Sequence, residues 1–338
     1  MPAGKREFLA RLSARTGFTS VLARMPKRRV LMILNYHRIG NSGDTLYDPG
    51  VFSATAEEFD EQVGFLKRRF HMAGLDEAVA MANGESPLRT SVLITFDDGY
   101  LDNYTSAFPV LRSHGVPGLF FLPTAFVGTC HLPFWDVIAY IVRQSRKKVI
   151  CLEYPEPARF DLETEGVPNS LMKILRLYKS PATTQPDRFL EDLQNACQSP
   201  APPPESERRF LNWEEAREMH RAGMAFGSHT HNHEILSKLP PARQCEELRQ
   251  SRQILEREFR CPIDVLSYPD GGRNAFSAET IDALRQNGYR AAFSYYGGMN
   301  RPGELRPFDL RRCGVERPSH ARFRLQTSLA AIAGKGWF

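Results

Sequence analysis

What the chain lacks narrows it first. Its 338 residues contain no Cys-x-x-Cys pair, and the six cysteines at 130, 151, 197, 245, 261 and 313 are scattered. That spacing suits reduced, independent thiols and argues against both a disulfide framework and a zinc knuckle. No apolar run approaches the roughly 20 residues needed to span a bilayer. No dense Lys/Arg run is interleaved with aromatics, and a net charge of +5 is mild for this length, so nucleic acid is not an expected partner. There is no internal repeat. The N-terminus is positive but has neither a continuous apolar core nor a clear cleavage site, and so makes a poor secretory signal. The expected location is cytoplasmic or membrane-peripheral. What remains, with 42% hydrophobic and 25% charged residues, is a globular chain able to bury a sizeable core in one large or two ordinary domains.

The most informative stretch is Ser91-Val92-Leu93-Ile94-Thr95-Phe96-Asp97-Asp98-Gly99-Tyr100. Val92 to Thr95 read as a strand buried on both faces, and the strand runs straight into two adjacent carboxylates and a glycine. Burying either carboxylate unpaired would be costly, so the pair belongs at the strand's open end, where a metal or solvent can meet it. Neighbouring strand residues point to opposite sides, which gives Asp97 and Asp98 different jobs. An Asp-Asp-Gly turn also serves as a helix N-cap with an acidic neighbour, and this stretch by itself fits both readings.

Around this strand the chain alternates helix and strand, the pattern of a parallel sheet with crossover helices. Residues 1–29 form a basic segment. Phe8, Leu9, Leu12, Phe18, Val21 and Leu22 lie among its basic residues over 5–25, as in an amphipathic helix on an anionic membrane surface or a helix packed on its own domain. Arg29–Asn35 is a second buried strand, ending in Tyr36-His37-Arg38. A histidine there is either a core side chain or one facing a site. Helices are expected over 55–69, with Thr55 or Ser53 as cap, and over 75–82, 107–114 and 135–142. Gly118–Pro123 is another buried strand. From 147 to 207 proline density rises and charges mix. This stretch reads as a partly helical insertion, without histidine, that shapes access rather than carrying chemistry. Regularity returns with a helix from Asn212 to His220, strands at 224–228 and 291–295, a strand followed by a tight turn over 265–272, and helices within 239–259 and over 280–287. The tail, 318–338, is basic and apolar and is assigned no element.

His229, His231 and His233 sit within five residues at a strand end, which packing alone hardly explains. His229 and His233 can converge on one ion if their segment forms a helical turn. One carboxylate of the Asp97-Asp98 pair would complete a two-His, one-Asp site for a divalent metal. Zinc is expected, with iron, cobalt or nickel compatible with the same donors. The other carboxylate is then placed as general base, because metal coordination lowers the pKa of water from roughly 15.7 to about 7. A backbone N–H in the turn Tyr268-Pro269-Asp270-Gly271 could meet the oxyanion of a tetrahedral intermediate.

In order, Thr95-Phe96-Asp97-Asp98-Gly99, His229-Thr230-x-x-His233 and Tyr268-Pro269-Asp270-Gly271 resemble the first three motifs of the NodB-type polysaccharide deacetylases, carbohydrate esterase family four. The resemblance spans about residues 30 to 315. It implies an α/β fold, a distorted (β/α) barrel of the NodB-homology type over 30–146 and 208–317, carrying the insertion. It implies a metal-dependent hydrolase that removes N-acetyl groups from amino sugars of an N-acetylated oligo- or polysaccharide. Asp97 would be the base, Asp98, His229 and His233 the metal ligands, and Asp270 the backbone oxyanion donor. Two departures stand out. Ser267 replaces the family's motif-three arginine, so Arg311 or Arg312 would have to compensate. No Leu-x-His lies near the C-terminus to supply the usual acid. Tyr36-His37 resembles the permuted branch containing poly-N-acetylglucosamine deacetylases, where that histidine comes from an N-terminal strand, which makes His37 the expected acid and His231 its rival. Two other readings share the fold: a hydrolase of a non-glycan amide C–N bond, and an inactive glycan-binding relative. Peripheral membrane contact through the basic N-terminus is a further expectation.

Overall fold

A computed structural model describes residues 3–16, 22, 25–203 and 208–336 of the protein. In chain order its principal elements are α1 (Ala3–Arg15), β1 (Leu31–Tyr36), β2 (Arg38–Ile39), β3 (Phe52–Ala54), α2 (Ala56–Arg69), β4 (His71–Met72), α3 (Leu75–Ala82), β5 (Ser91–Phe96), α4 (Phe108–His114), β6 (Gly118–Leu122) and α5 (Phe134–Arg143). There follow β7 (Val149–Leu152), β8 (Ala158–Asp161), α6 (Val167–Lys179), α7 (Pro186–Cys197), α8 (Trp213–Arg221), β9 (Ala225–Ser228), α9 (Pro241–Phe259) and β10 (Val265–Ser267). The chain closes with α10 (Ala278–Gln286), β11 (Ala291–Ser294), β12 (Leu310–Arg311), β13 (Cys313–Gly314) and α11 (His320–Ala333). They divide into two compact units, Met1–Gly40 with Phe52–Thr129 and Arg209–Phe338, and Asn41–Val51 with Cys130–Arg208.

The first unit is a nearly closed parallel barrel with helices around it. Its strands follow the order β12-β11-β10-β9-β6-β5-β1-β13, and every adjacent pair along it is parallel. The two ends of that order, β12 and β13, are separated in the chain by Arg312 alone. The barrel is therefore drawn together by one short segment that pairs with β11 on one side and β1 on the other.

Strand alternation sorts the residues. Met32, Leu34, Ile94, Phe96 and Phe120 join the core shared with Phe59, Val63 and Leu66 of α2. Ile33, Leu93, Phe121, Val265, Phe293 and Leu310 form a separate apolar cluster. One step further along the same strand rows, the side chains become polar: Asn35, Thr95, Ser267 and Arg312, all fully buried, with Asp97 just beyond β5. Gly227 makes room in this interior, since a Cβ there would lie 2.6 Å from the Phe121 ring.

Local signals hold where they were strongest. Thr55 and Glu58 form a capping box on α2, and Asn212 and Glu215 form one on α8. Gly115, at φ 59°, closes α4 in the left-handed conformation. The tail without an expected element carries α11, whose Phe323, Ala330 and Ala331 are buried. α1 covers part of the N-terminal segment and packs along α11, with Ala10 buried and Phe8 and Leu12 exposed. Of the expected apolar positions there, Phe18 and Val21 lie outside the described residues.

The second unit has its own core, built from Ile138 and Ile141 of α5, Ile150 and Leu152 of β7, Phe160 of β8, and Leu171, Ile174, Phe189 and Leu193 of α6 and α7. β7 and β8 form an antiparallel hairpin that the sequence reading did not anticipate. This unit takes in α5 and residues 41–51, so it extends beyond the 147–207 segment marked by composition. The reason is packing: α5 buries its apolar face in this core, the Asp48 N–H donates to Asp136 Oδ1 at 3.0 Å, and Arg143 donates to the Tyr47 carbonyl at 2.8 Å.

Candidate active site

The polar layer ends at the C-terminal mouth of the barrel. Asp97 follows β5 directly, and Asp98 turns away at φ 70°, with Gly99 at φ 67°. A Cβ on Gly99 would lie 2.6 Å from Leu122 Cδ2 and would be strained at this positive φ, so glycine suits this close turn. The two carboxylates consequently meet different partners. Asp98 Oδ1 lies 3.4 Å from His229 Nε2 and 3.2 Å from His233 Nε2. Asp97 is gripped by Arg312, whose Nη1 and Nη2 donate to Oδ1 and Oδ2 at 2.8 Å each.

His229 follows β9, its N–H donating to the Leu122 carbonyl at 3.0 Å. The convergence expected from a helical turn is reached differently: residues 229–233 form a bent loop, with Thr230 at φ 63° and His233 at φ 59°. Such left-handed non-glycine residues need firm support. It comes from Glu247 of α9, a buried carboxylate that accepts the His231 and Asn232 backbone N–H groups at 3.0 and 2.8 Å and the Asn232 side-chain amide at 2.6 Å. His231 turns out of the cluster. Its Nδ1 meets Thr124 Oγ1 at 2.8 Å and its Nε2 meets Gln250 Nε2 at 3.1 Å.

The donor set suits a divalent ion on an electrostatic argument. A carbonyl can only accept, so the 2.8 Å contact of His229 Nδ1 with the Ser267 carbonyl puts the ring proton on Nδ1. In the neutral ring Nε2 then directs a lone pair at the Asp98 carboxylate, an arrangement that calls for a cation between them. Ligands at about 2.0–2.1 Å around a tetrahedral ion stand roughly 3.3–3.4 Å apart, comparable with the two observed spacings. Among the described residues, Asp98, His229 and His233 are the group of three whose ligand atoms lie within 4.8 Å of one another.

Asp97 is enclosed by a network that involves three strand rows. Arg312 Nη2 donates to Ser267 Oγ at 2.7 Å, Nη1 to Asn35 Oδ1 at 2.6 Å and Nε to the Ser294 carbonyl at 3.1 Å. Ser267 Oγ and Asn35 Nδ2 donate in turn to Asp97 Oδ2, at 3.3 and 3.2 Å. Both charges are thus paired and hydrogen-bonded, which a buried ion pair requires. Burial pushes the Asp97 carboxyl up, but Arg312 first, then His229 and His37, outweigh it and hold it below the ordinary aspartate range. Burial likewise opposes ionisation of Asp98, but His229 and His233, when either carries a proton on Nε2, outweigh it and hold the carboxyl well below that range.

His37 follows β1, is partly exposed, and presents its ring to Tyr295 edge-on, with centroids 5.6 Å apart. It is near enough to favour the ionised form of both aspartates. Tyr295 is wedged beside Gly314 and Gly271, where added Cβ atoms would lie 2.2 Å from its Oη and 2.6 Å from its Cβ. The Tyr295 N–H donates to the Gly271 carbonyl at 2.6 Å, tying down the 270–271 turn, in which Asp270 has φ 64° and an exposed side chain. Of the two candidate arginines, Arg312 reaches Asp97, while Arg311 lies 3.9 Å from Asp309.

Asn35, Tyr295 and Glu247 are the residues that sequence reading missed. Asn35 had a signal, a lone amide in an apolar strand. The other two had none, since their importance lies in contacts with distant loops.

The polysaccharide deacetylase family pattern matches residues 84–151 and 158–292, and the chain belongs to this family of hydrolases acting on carbon–nitrogen bonds. It is similar to YxkH of Bacillus subtilis, named as a polysaccharide deacetylase, with 23% identity over 274 residues, covering 80% of this chain and 67% of that one. The fold is shared with two solved structures. The Streptococcus pyogenes deacetylase PplD in complex with acetate has a TM-score of 0.57 at 16% identity, over 90% of this chain and 99% of that one. IcaB from Ammonifex degensii has a TM-score of 0.57 at 21% identity, over 88% and 97%.

Proposed function

We propose that the chain is a metal-dependent hydrolase that removes N-acetyl groups from amino sugars of a glycan. The observation that carries this reading is the adjacency of two differently served carboxylates: Asp98 with His229 and His233, and Asp97 under the Arg312 fork. Asp98, His229 and His233 would hold a divalent ion, zinc in the first instance. When bound, such an ion acts as a Lewis acid and acidifies water.

Asp97 takes the proton of the attacking water. Arg312, Ser267 and Asn35 orient its carboxylate, and the low pKa keeps it ionised at neutral pH. The Asp270 backbone N–H is offered to the oxyanion of the tetrahedral intermediate. An amine anion is too basic to leave, so the nitrogen must be protonated as the C–N bond breaks, and His37 supplies that proton from the other side of the mouth. His231 is poorly suited to that role, with both ring nitrogens already engaged by Thr124 and Gln250. Acetate, the product of deacetylation, is the molecule named in the PplD complex.

The test is acetate release from chitooligosaccharides and from poly-N-acetylglucosamine by protein stripped of metal and then given zinc, iron, cobalt or nickel. Zinc-dependent release from a glycan supports the reading. Hydrolysis of small non-glycan amides alone would move the substrate class. No release from any substrate by a metal-loaded protein would leave a glycan-binding relative.

A further inference from the structure

We infer that the end of the barrel opposite the active site is a docking surface for an anionic phospholipid membrane. Asp97 and His229 follow the C-terminal ends of β5 and β9, whereas Val30 and Thr90 immediately precede the N-terminal ends of β1 and β5. At that N-terminal end lies an open cleft of about 580 Å³, assembled from residues 25–29, 67–71 and 88–90. Lys27, Arg29, Lys67, Arg68, Arg69 and Arg89 line it, and no aspartate or glutamate does. Three separate stretches of chain have been brought together with one sign of charge.

Phosphate is the matching chemistry, and the rim says which source of phosphate. Leu88 is 86% exposed, more than any other large apolar side chain described, and Met25 42%, and both lie on the cleft. A soluble phosphate has no use for them. A bilayer does, because apolar side chains can enter the headgroup boundary while the cations remain on the phosphates. Some of these cations are supported in position: Lys27 lies 5.6 Å over the Phe70 ring, Lys67 donates to the His114 carbonyl, and Arg89 lies 3.3 Å from His71 Nδ1. Docked in this way, the protein would direct its catalytic mouth away from the bilayer, towards a polymer above it. The inference does not depend on which reaction that mouth performs.

The experiment is co-sedimentation of the full chain with vesicles of phosphatidylcholine alone or doped with phosphatidylglycerol. Binding should require phosphatidylglycerol and weaken with salt, with each cation at the surface contributing about fivefold. Arg29→Glu with Arg69→Glu should lose at least about tenfold in binding while circular dichroism and the thermal melt stay those of the wild type, which shows the variant is folded. Leu88→Ser should lose several-fold by itself. Equal binding to both vesicle types, or phosphatidylglycerol binding that survives the charge reversals, would overturn the proposal. So would displacement by inorganic phosphate or pyrophosphate with no effect of Leu88→Ser, which would make the cleft a soluble-anion site.

Discussion

Arg312 grips both carboxylate oxygens of Asp97, at 2.8 Å each, from the single position that separates the two strands at which the barrel comes together. The residue that draws the barrel's ends together thus also orders Asp97, the proposed base. Its guanidinium is fully buried beneath the site, 5.6 Å over the Phe121 ring.

Removing that guanidinium should act on the base and on stability together. Arg312 is the leading influence that lowers the Asp97 carboxyl, so in Arg312→Met burial is left dominant and the pKa rises. The acid limb of kcat/KM should move to higher pH, with Arg312→Lys in between. Asp97's depressed pKa contributes stability above the unfolded aspartate value, and wild type loses it only as pH falls through the lower folded value. Leaving Asp97 buried without its partner should cost about 3–5 kcal/mol near neutral pH. Denaturant melts and pH–rate profiles read both effects, and an unmoved acid limb would dissociate Arg312 from the base.

Metal content should depend on each of three side chains. Asp98→Ala, His229→Ala and His233→Ala should each purify without metal and without activity, while circular dichroism stays that of the folded chain. Full occupancy in His229→Ala, measured by elemental analysis, would break the assignment.

Glu247 never faces the cluster, yet it should set metal affinity, because it anchors the loop between the two histidines. Glu247→Ala should weaken binding by about 10- to 100-fold in calorimetry or chelator competition. Glu247→Gln should restore most of it, since one oxygen can still take both backbone N–H groups and Asn232 can rotate its amide to meet the new donor. Equal loss in both variants would mean that charge matters rather than geometry.

His37→Ala should retain metal and substrate binding and lose kcat on amides. On activated acetate esters, whose leaving groups need no proton, the loss should be much smaller. The same loss on both substrates would make His37 a structural residue beside Tyr295.

Thiol chemistry should separate exposed from buried cysteines. Burial pushes the Cys197 thiol up to about 11, whereas Cys130 and Cys151 are exposed. Iodoacetamide at mildly alkaline pH should label Cys130 and Cys151 first. Cys197 should become reactive only as the chain unfolds, which peptide mass spectrometry can follow.

Much of this protein was legible in its sequence, because the signals are local. Apolar strand runs such as Val92 to Thr95, the Thr55 and Asn212 caps, and alternating helix and strand led to a parallel barrel. Two carboxylates and a histidine placed just past strand ends, at Asp97, Asp98 and His229, marked where its mouth would be. Leaving such groups buried and unpaired would be costly, so each must find a counter-charge there, as Asp97 does in Arg312.

The rest was decided by tertiary structure. Arg312 and Asp97 are 215 residues apart. Nothing local distinguished Arg312 from Arg311; strand alternation and barrel closure turn one inward and leave the other beside Asp309. Ser267 reads as a missing arginine in its own motif and becomes, in the fold, a hydrogen-bonding partner of an arginine arriving from another strand. The histidine loop could not be drawn from spacing, because its two left-handed residues depend on a carboxylate from α9. The extent of the second unit likewise followed from which core α5 could bury its apolar face in, which composition does not record. In each case the deciding energy is a contact between distant segments, and only the closed fold makes those segments neighbours.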